Sequence, residues 1–86
     1  MIQHHVYFYI LYSSILDKYY IGHTKDLDGR LRRHNSNHKG WTGNANDWTI
    51  EYTEEFEMKS FASVRELEVK KWKSRKRVEK QIKKEL

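Results

Sequence analysis

Two aromatic-rich segments separated by only four residues constrain the fold of this chain more than any other feature. They are VYFYILYS, Val6 to Ser13, and KYYIGH, Lys18 to His23, and both are rich in Tyr, Ile and Phe, which are typical of strands. The linker SILD, Ser14 to Asp17, is short and partly polar, as a tight turn requires. We therefore predict a β-hairpin.

The even length of the linker predicts the register of that hairpin. In an antiparallel pair the residue numbers of two cross-strand partners always add up to the same value, which we call the index sum. A four-residue loop gives an odd index sum of about 31. Tyr20 then lies opposite Leu11, two residues from Tyr9. We expect Tyr9 and Tyr20 on the same face of the sheet, as diagonal neighbours about 7–8 Å apart.

The sequence that follows the hairpin predicts a helix and then a loop. Thr24 or Asp26 can cap a helix that runs to about Asn35. The next thirteen residues, Asn35 to Asp47, are rich in Gly, Asn and Ser and indicate a long loop.

A third strand is predicted at Trp48 to Phe56, because apolar and polar residues alternate there. The alternation would place Trp48, Ile50 and Tyr52 together on one face.

Two helices are predicted after this strand. Ser60 would cap a helix through about Lys73, and Ser74 would cap another through Lys84. The chain is thus expected to be one α+β domain over residues 1–86, with a small three-stranded, mainly antiparallel sheet flanked by three helices in the order ββαβαα.

The positive charge is concentrated in the last quarter of the chain. Arg65 to Leu86 carries ten Lys or Arg and four Glu. Residues 1–64 carry seven Lys or Arg and eight Asp or Glu. Such asymmetry favours an anionic partner, and nucleic acid is the commonest one for a small basic domain. A Lys- and Glu-rich helix is equally typical of a solvated face.

The composition also indicates the compartment in which the protein is found. The chain has no cysteine, and its longest apolar or aromatic run, Val6 to Tyr12, is far too short to span a bilayer. The first residues lack the pattern of a secretory signal. We expect a soluble cytoplasmic protein with no membrane contact, as a monomer or weak homodimer.

Four side chains form a candidate site for phosphodiester chemistry. Arg30 and His34 are four apart on the predicted helix, which stacks them beside the face that carries Tyr9 and Tyr20. Arg can hold phosphate oxygens with a bidentate fork, and His moves protons near neutral pH. Each of these residues alone is more often a core, stacking or solvated residue.

Hydrolysis of a phosphodiester usually needs a cation, and hard cations prefer carboxylates. Glu66 lies about 40° from Ala62 and about 60° from Val69 around its helix, so it borders the apolar side. It is either a surface group or a held ligand. The acidic run Glu51, Glu54, Glu55 and Glu57 is interpreted as solvated.

The residues and their spacing resemble the GIY-YIG nuclease family. YFY, Tyr7 to Tyr9, occupies the position of the family's first triplet, and YIG, Tyr20 to Gly22, matches the second. Arg30 lies ten residues past the second Tyr, His34 follows four later, and Glu66 matches the family's metal-binding Glu. The chain most resembles the small stand-alone branch related to the N-terminal nuclease domain of the bacterial excision-repair endonuclease.

The resemblance implies Mg²⁺- or Mn²⁺-dependent endonuclease cleavage of DNA. By this resemblance Tyr9 is the general base, and Tyr20 positions the water or the phosphate. Arg30 neutralises developing charge, His34 assists proton transfer or orients Tyr9, and Glu66 binds the metal.

Six basic residues in or next to the predicted helices are expected to contact DNA: Lys25, Arg33, Lys70, Lys71, Lys73 and Arg75. The alternative hypothesis is a non-catalytic nucleic-acid-binding module that uses stacked tyrosines and the basic C-terminal helix. A third hypothesis, a structural or partner-binding domain, explains fewer of the spacings.

Overall fold

The predicted order of elements, ββαβαα, is confirmed by the computed structural model, which describes residues 5–36 and 45–84. These elements form a three-stranded antiparallel sheet and three helices, so the predicted α+β class is also confirmed. The strands are β1 (Val6–Ser13), β2 (Lys18–Thr24) and β3 (Thr49–Phe56), and the helices are α1 (Leu27–His34), α2 (Lys59–Trp72) and α3 (Arg75–Lys83).

The hairpin has the predicted register. Leu11 lies opposite Tyr20, and Tyr9 lies directly opposite Gly22. The sheet order is β2-β1-β3, so β1 is the central strand and is antiparallel to both neighbours. Tyr9 and Tyr20 therefore share a face, as the parity of the turn predicts.

Both faces of β1 are buried, and each carries its own hydrophobic cluster. Phe8 and Ile10 pack with Val69 of α2 and Val78 of α3 on one face. On the other face Tyr9 and Leu11 pack with Trp48 and with the apolar side of α1. The molecule therefore has three layers, with α1 on one side of the sheet and α2 and α3 on the other.

The prediction that Trp48, Ile50 and Tyr52 share one face was wrong. The pairing of β1 with β3 shifts between Ile10 and Leu11, so that Ile10 lies opposite Tyr52 and Leu11 lies opposite Ile50. A bulge of this kind adds one residue to a strand and resets its alternation. Tyr52 thus packs toward α2 and α3, whereas Trp48 and Ile50 pack toward α1.

One of the two predicted caps of the C-terminal helices is confirmed. Ser74 caps α3, because its hydroxyl accepts a hydrogen bond from the Arg77 N–H at 3.3 Å. Ser60 was predicted to cap α2, and this is wrong: α2 begins at Lys59, and its N-cap Met58 makes no side-chain capping bond. The start of α2 is therefore set by packing of Ala62 and Val69 against the sheet.

The interpretation of Glu54 as a solvated residue was also wrong. Arg65 of α2 binds both carboxylate oxygens of Glu54, with Nε 2.9 Å and Nη2 3.0 Å away. The same guanidinium lies over the rings of Phe8 and Trp72 at 5.7 Å and 5.6 Å. Arg65 therefore fastens α2 to β3 and to the core, which makes it a structural residue.

No helix within residues 5–36 and 45–84 combines the length and the apolar character that crossing a bilayer requires.

Candidate active site

Tyr9, Tyr20 and His34 meet on the face of the sheet that α1 covers. Tyr9 is 1% exposed and His34 is 6% exposed. The Tyr9 hydroxyl lies 3.3 Å from His34 Nε2, and the rings of Tyr20 and His34 are 4.5 Å apart. The structure thus brings together three of the residues selected from the sequence, and one hydrogen bond links the phenol to the imidazole.

Gly22 makes room for the Tyr9 phenol. A Cβ atom at Gly22 would lie 2.6 Å from the Tyr9 hydroxyl oxygen and 2.8 Å from Tyr9 Cζ. It would also lie 3.2 Å from the Tyr20 ring. This close approach of Gly22 to the Tyr9 ring was not predicted from the sequence. The register itself contained the missed signal, because an index sum of about 31 places Gly22 opposite Tyr9.

We expect Gly22→Ala to destabilise the protein by about 1–3 kcal/mol, because the added methyl group overpacks a buried site. Denaturant unfolding of the variant and the parent measures this difference. The double variant Gly22→Ala, Tyr9→Phe should recover part of the loss, since removal of the hydroxyl removes the closest contact. A Gly22→Ala protein as stable as the parent would show that the phenol has other space to occupy.

Helix α1 delivers Arg30 and His34 to this site. Asp26 caps the helix by accepting a hydrogen bond from the Gly29 N–H at 3.0 Å, as one of the two predicted caps. Thr24, the other predicted cap, instead accepts a hydrogen bond from the Asp26 N–H at 3.1 Å. These bonds fix the start of α1 directly after β2, so the helical repeat sets the positions of Arg30 and His34.

The end of α1 is tied to the segment that leads into β3. The Asn35 side chain accepts a hydrogen bond from the Trp48 N–H at 2.8 Å and donates one to the Trp48 carbonyl at 3.1 Å. The Trp48 ring lies 6.2 Å from the His34 ring and 6.5 Å from the Tyr20 ring. This clamp holds His34 in place beside Tyr9.

Arg30 is half-buried and lines a cleft of about 410 Å³. Lys25 and Lys59 also line this cleft, and the one carboxylate among its described lining residues belongs to the α1 cap, Asp26. Three cations against one engaged carboxylate make the cleft suitable for an anion. Lys59 was not predicted from the sequence, because only the fold brings the start of α2 to the cleft that Arg30 lines.

The pKa of Tyr9 is raised well above its ordinary value. Burial of the phenol is the largest cause, and the nearby Tyr20 also raises the pKa. The charge of Arg30 lowers it and the carboxylate of Glu66 raises it. The phenol is therefore protonated at neutral pH.

Glu66 is an ionised carboxylate held by two partners. Its Oε1 lies 2.6 Å from His23 Nδ1, and its Oε2 lies 2.5 Å from Lys70 Nζ. Burial alone would raise the pKa of Glu66, but the hydrogen bonds from Lys70 and His23 outweigh it and hold the pKa below its usual value. The side chain borders the packed side of α2 with 18% of its surface exposed, so it is a held group.

His23 is a further residue that was not predicted from the sequence. It lies opposite Phe8 in the hairpin, and its side chain therefore lies on the opposite face of the sheet from Tyr20. This is the face that α2 covers, and there it contacts Glu66. The same register argument that paired Tyr9 with Tyr20 could have assigned His23 to this face.

The described residues suit a divalent cation that takes few ligands from the protein and the others from water and the substrate. Within residues 5–36 and 45–84, no three His, Asp or Glu side chains converge on one point. Mg²⁺ commonly takes one or two carboxylates and completes its shell with water and substrate phosphates. Glu66, ionised and partly exposed, meets that requirement as a single protein ligand.

The six basic residues expected to contact DNA fall into two groups. Lys70 is bound to Glu66, and Arg75 binds the carboxylate of Asp17 at 2.6 Å and that of Glu79 at 3.1 Å. The other four are exposed: Lys25, Arg33, Lys71 and Lys73. Arg75 also lies over the ring of Tyr19 at 5.3 Å, so it fastens α3 to the hairpin.

The chain was compared with protein families, with curated proteins and with solved structures. The family model described as the GIY-YIG catalytic domain matches residues 5–83. No curated protein and no solved structure matches the chain. The family match spans nearly all of the 86 residues and includes every residue of the site described above. The chain therefore belongs to the GIY-YIG family of nucleases.

Proposed function

We propose that the protein is a divalent-metal-dependent DNA endonuclease in which Tyr9 is the general base. The observation that carries this proposal is the buried Tyr9 hydroxyl, 3.3 Å from His34 Nε2, with the charges of Arg30 and Glu66 acting on it. A buried phenol that is hydrogen-bonded to an imidazole, and whose pKa responds to a cation and a carboxylate, is suited to proton transfer.

The raised pKa of Tyr9 sets a requirement for its role as a base. A protonated phenol can take a proton from water only if it gives up its own proton in the same step. His34 Nε2 is within hydrogen-bonding distance of the Tyr9 hydroxyl and can accept that proton when it is the unprotonated nitrogen. His34 then holds one proton as an imidazolium, Tyr9 is again a neutral phenol, and the hydroxide left from the water attacks the phosphorus atom. The charge of Arg30 favours the partial negative charge on the Tyr9 oxygen during this exchange.

Arg30 would neutralise the charge that develops on the phosphate. Its planar guanidinium can bind two phosphate oxygens at once. Arg30 lines the cationic cleft and, at a separate small gap, it lies next to Tyr9. The Tyr20 hydroxyl group would position the attacking water or the phosphate. Its ring already packs against His34 at 4.5 Å.

Glu66 would hold the metal ion, Mg²⁺ or Mn²⁺. When bound, the ion supplies polarisation of the phosphate and a more acidic water molecule. Glu66 contributes a carboxylate that is ionised before the ion arrives, because Lys70 and His23 keep its pKa low. GIY-YIG nucleases generally use divalent metals, which agrees with this role.

The DNA backbone would enter the site through the cleft lined by Lys25, Arg30 and Lys59. Arg33 extends this cationic surface along α1, in a neighbouring pocket that also contains Arg30. Contacts of this kind neutralise phosphates without regard to sequence, and they make binding depend on salt concentration. Lys71 at the end of α2 and its C-cap Lys73 are exposed and would contribute to a longer duplex contact.

The alternative, a binding module built on stacked tyrosines, has less support. Tyr9 is 1% exposed and has no face open to a nucleobase. The Tyr12 hydroxyl donates to Asp17 at 2.7 Å, and the Tyr19 hydroxyl donates to Glu79 at 3.1 Å. These tyrosines are engaged within the fold, whereas base stacking needs exposed rings.

Cleavage of plasmid and flapped DNA in Mg²⁺ or Mn²⁺, with a chelator as the blank, tests the proposal. We expect Arg30→Lys to lower the cleavage rate about 10²-fold, because Lys keeps the charge but loses the bidentate fork. Arg33→Lys, on the exposed side of the same helix, is the matched control and should change little. A folded protein that binds DNA but cuts no substrate with either ion would contradict the nuclease proposal.

A further inference from the structure

We propose that the two partners of Glu66 have opposite effects on metal binding: His23 positions the carboxylate for the ion, and Lys70 occupies the place that the ion must take. This inference rests on the proposed role of Glu66 as the metal ligand. It assigns a function to His23, and it assigns Lys70 to competition with the ion rather than to DNA contact.

Each oxygen of Glu66 has its own partner. Oε1 lies 2.6 Å from His23 Nδ1, and Oε2 lies 2.5 Å from Lys70 Nζ. An ionised carboxylate only accepts hydrogen bonds, so Nδ1 must carry the proton of this contact. An ion that binds Glu66 must therefore replace one of the two partners or share an oxygen with it.

His23 is the partner that can stay. Its short side chain projects from the ladder of β2, where the backbone is paired with Phe8, and only 22% of it is exposed. A carboxylate that binds a metal is usually itself hydrogen-bonded, since this fixes its orientation. The bond from His23 Nδ1 to Oε1 fixes the carboxylate in this way and leaves Oε2 to face the ion.

Lys70 is the partner that can leave. Its side chain is 48% exposed, lies one helical turn along α2 and has four flexible methylene groups. An exposed ion pair of this type is weak and readily exchanged. A metal ion at Oε2 would also repel the ammonium group, because both carry positive charge. The ion therefore takes the place of Lys70 and keeps His23.

The two substitutions should consequently shift metal affinity in opposite directions. We expect His23→Ala to weaken Mn²⁺ binding about tenfold, the lower end of the usual effect of losing a hydrogen-bond partner of a ligand. We expect Lys70→Gln to tighten Mn²⁺ binding about twofold to fivefold, as loss of a weak competing ion pair predicts.

Electron paramagnetic resonance of free Mn²⁺, titrated with purified protein in the absence of DNA, measures the affinity directly. His23→Asn tests for rescue, because its amide N–H can donate from nearly the same position as Nδ1. Lys71→Gln is the matched charge control, since Lys71 is exposed on α2 and makes no described contact with Glu66. Thermal unfolding of each variant shows that the fold is retained.

Weaker binding in His23→Ala, recovery in His23→Asn and tighter binding in Lys70→Gln but not in Lys71→Gln would support the inference. Equal effects of Lys70→Gln and Lys71→Gln, or no loss in His23→Ala, would overturn it and leave the nuclease proposal standing. Mn²⁺ binding that Glu66→Gln does not reduce would overturn the metal assignment, and the inference with it.

Discussion

Replacing Tyr9 with phenylalanine is expected to lower the rate of DNA cleavage about 10³-fold, within the range that general-base catalysis supplies. Phenylalanine keeps the ring that packs beside Tyr20 and His34 and removes only the hydroxyl group that bonds to His34 Nε2. The fold and the affinity for DNA should therefore change little. Single-turnover cleavage and DNA binding, measured on the same preparation, separate these effects.

Tyr52→Phe is the matched control for this experiment. Tyr52 is also buried on the sheet, at 6% exposure, but it lies on the opposite face, and its hydroxyl accepts a hydrogen bond from Gln81 at 2.8 Å. Its loss should affect stability by about 1 kcal/mol and leave cleavage intact. If Tyr9→Phe still cuts at a rate within tenfold of the parent, another group is the base.

Glu66→Gln is expected to lower cleavage by about 10²- to 10³-fold, because the ligand loses its charge but keeps its shape. The amide oxygen can still accept the hydrogen bond from His23, so the packing of α2 on β2 should persist. Cleavage is measured at several Mg²⁺ and Mn²⁺ concentrations, since a weakened site needs more metal.

Glu68→Gln serves as the comparison for that variant. Glu68 lies two residues along the same helix with 55% of its side chain exposed, where it pairs with Arg65. Removing its charge weakens a surface contact and should leave the metal requirement unchanged. Full activity in Glu66→Gln at ordinary metal concentration would rule out Glu66 as the essential ligand.

The hairpin could be predicted from the sequence because its geometry depends on one local quantity. The parity of the SILD turn sets the index sum, and the sum decides which residues share a face. Tyr9 and Tyr20 were placed correctly for this reason. The same sum also pairs Gly22 with Tyr9 and His23 with Phe8, so the positions of Gly22 and His23 have the same local origin.

Other features depend on contacts between distant elements and leave no local signal. The bulge opposite Ile10 and Leu11 turns Tyr52 away from Trp48 and Ile50, although the alternation of β3 is regular in the sequence. Glu54 looked like part of a solvated acidic run because its partner, Arg65, is eleven residues away on another element. Lys59 lines the cleft of Arg30 only because the folded chain brings the start of α2 to that edge of the sheet.

Burial of β1 on both faces has a consequence for how this protein can change during evolution. The strand that supplies Tyr9 also supplies Phe8 and Ile10 to the opposite cluster, so selection for folding alone would preserve most of it. Arg30 is half-buried on a cleft surface and is under no comparable packing constraint. In a descendant that no longer cuts DNA, we expect the aromatic strand to persist and Arg30 to be the first residue of the site to drift.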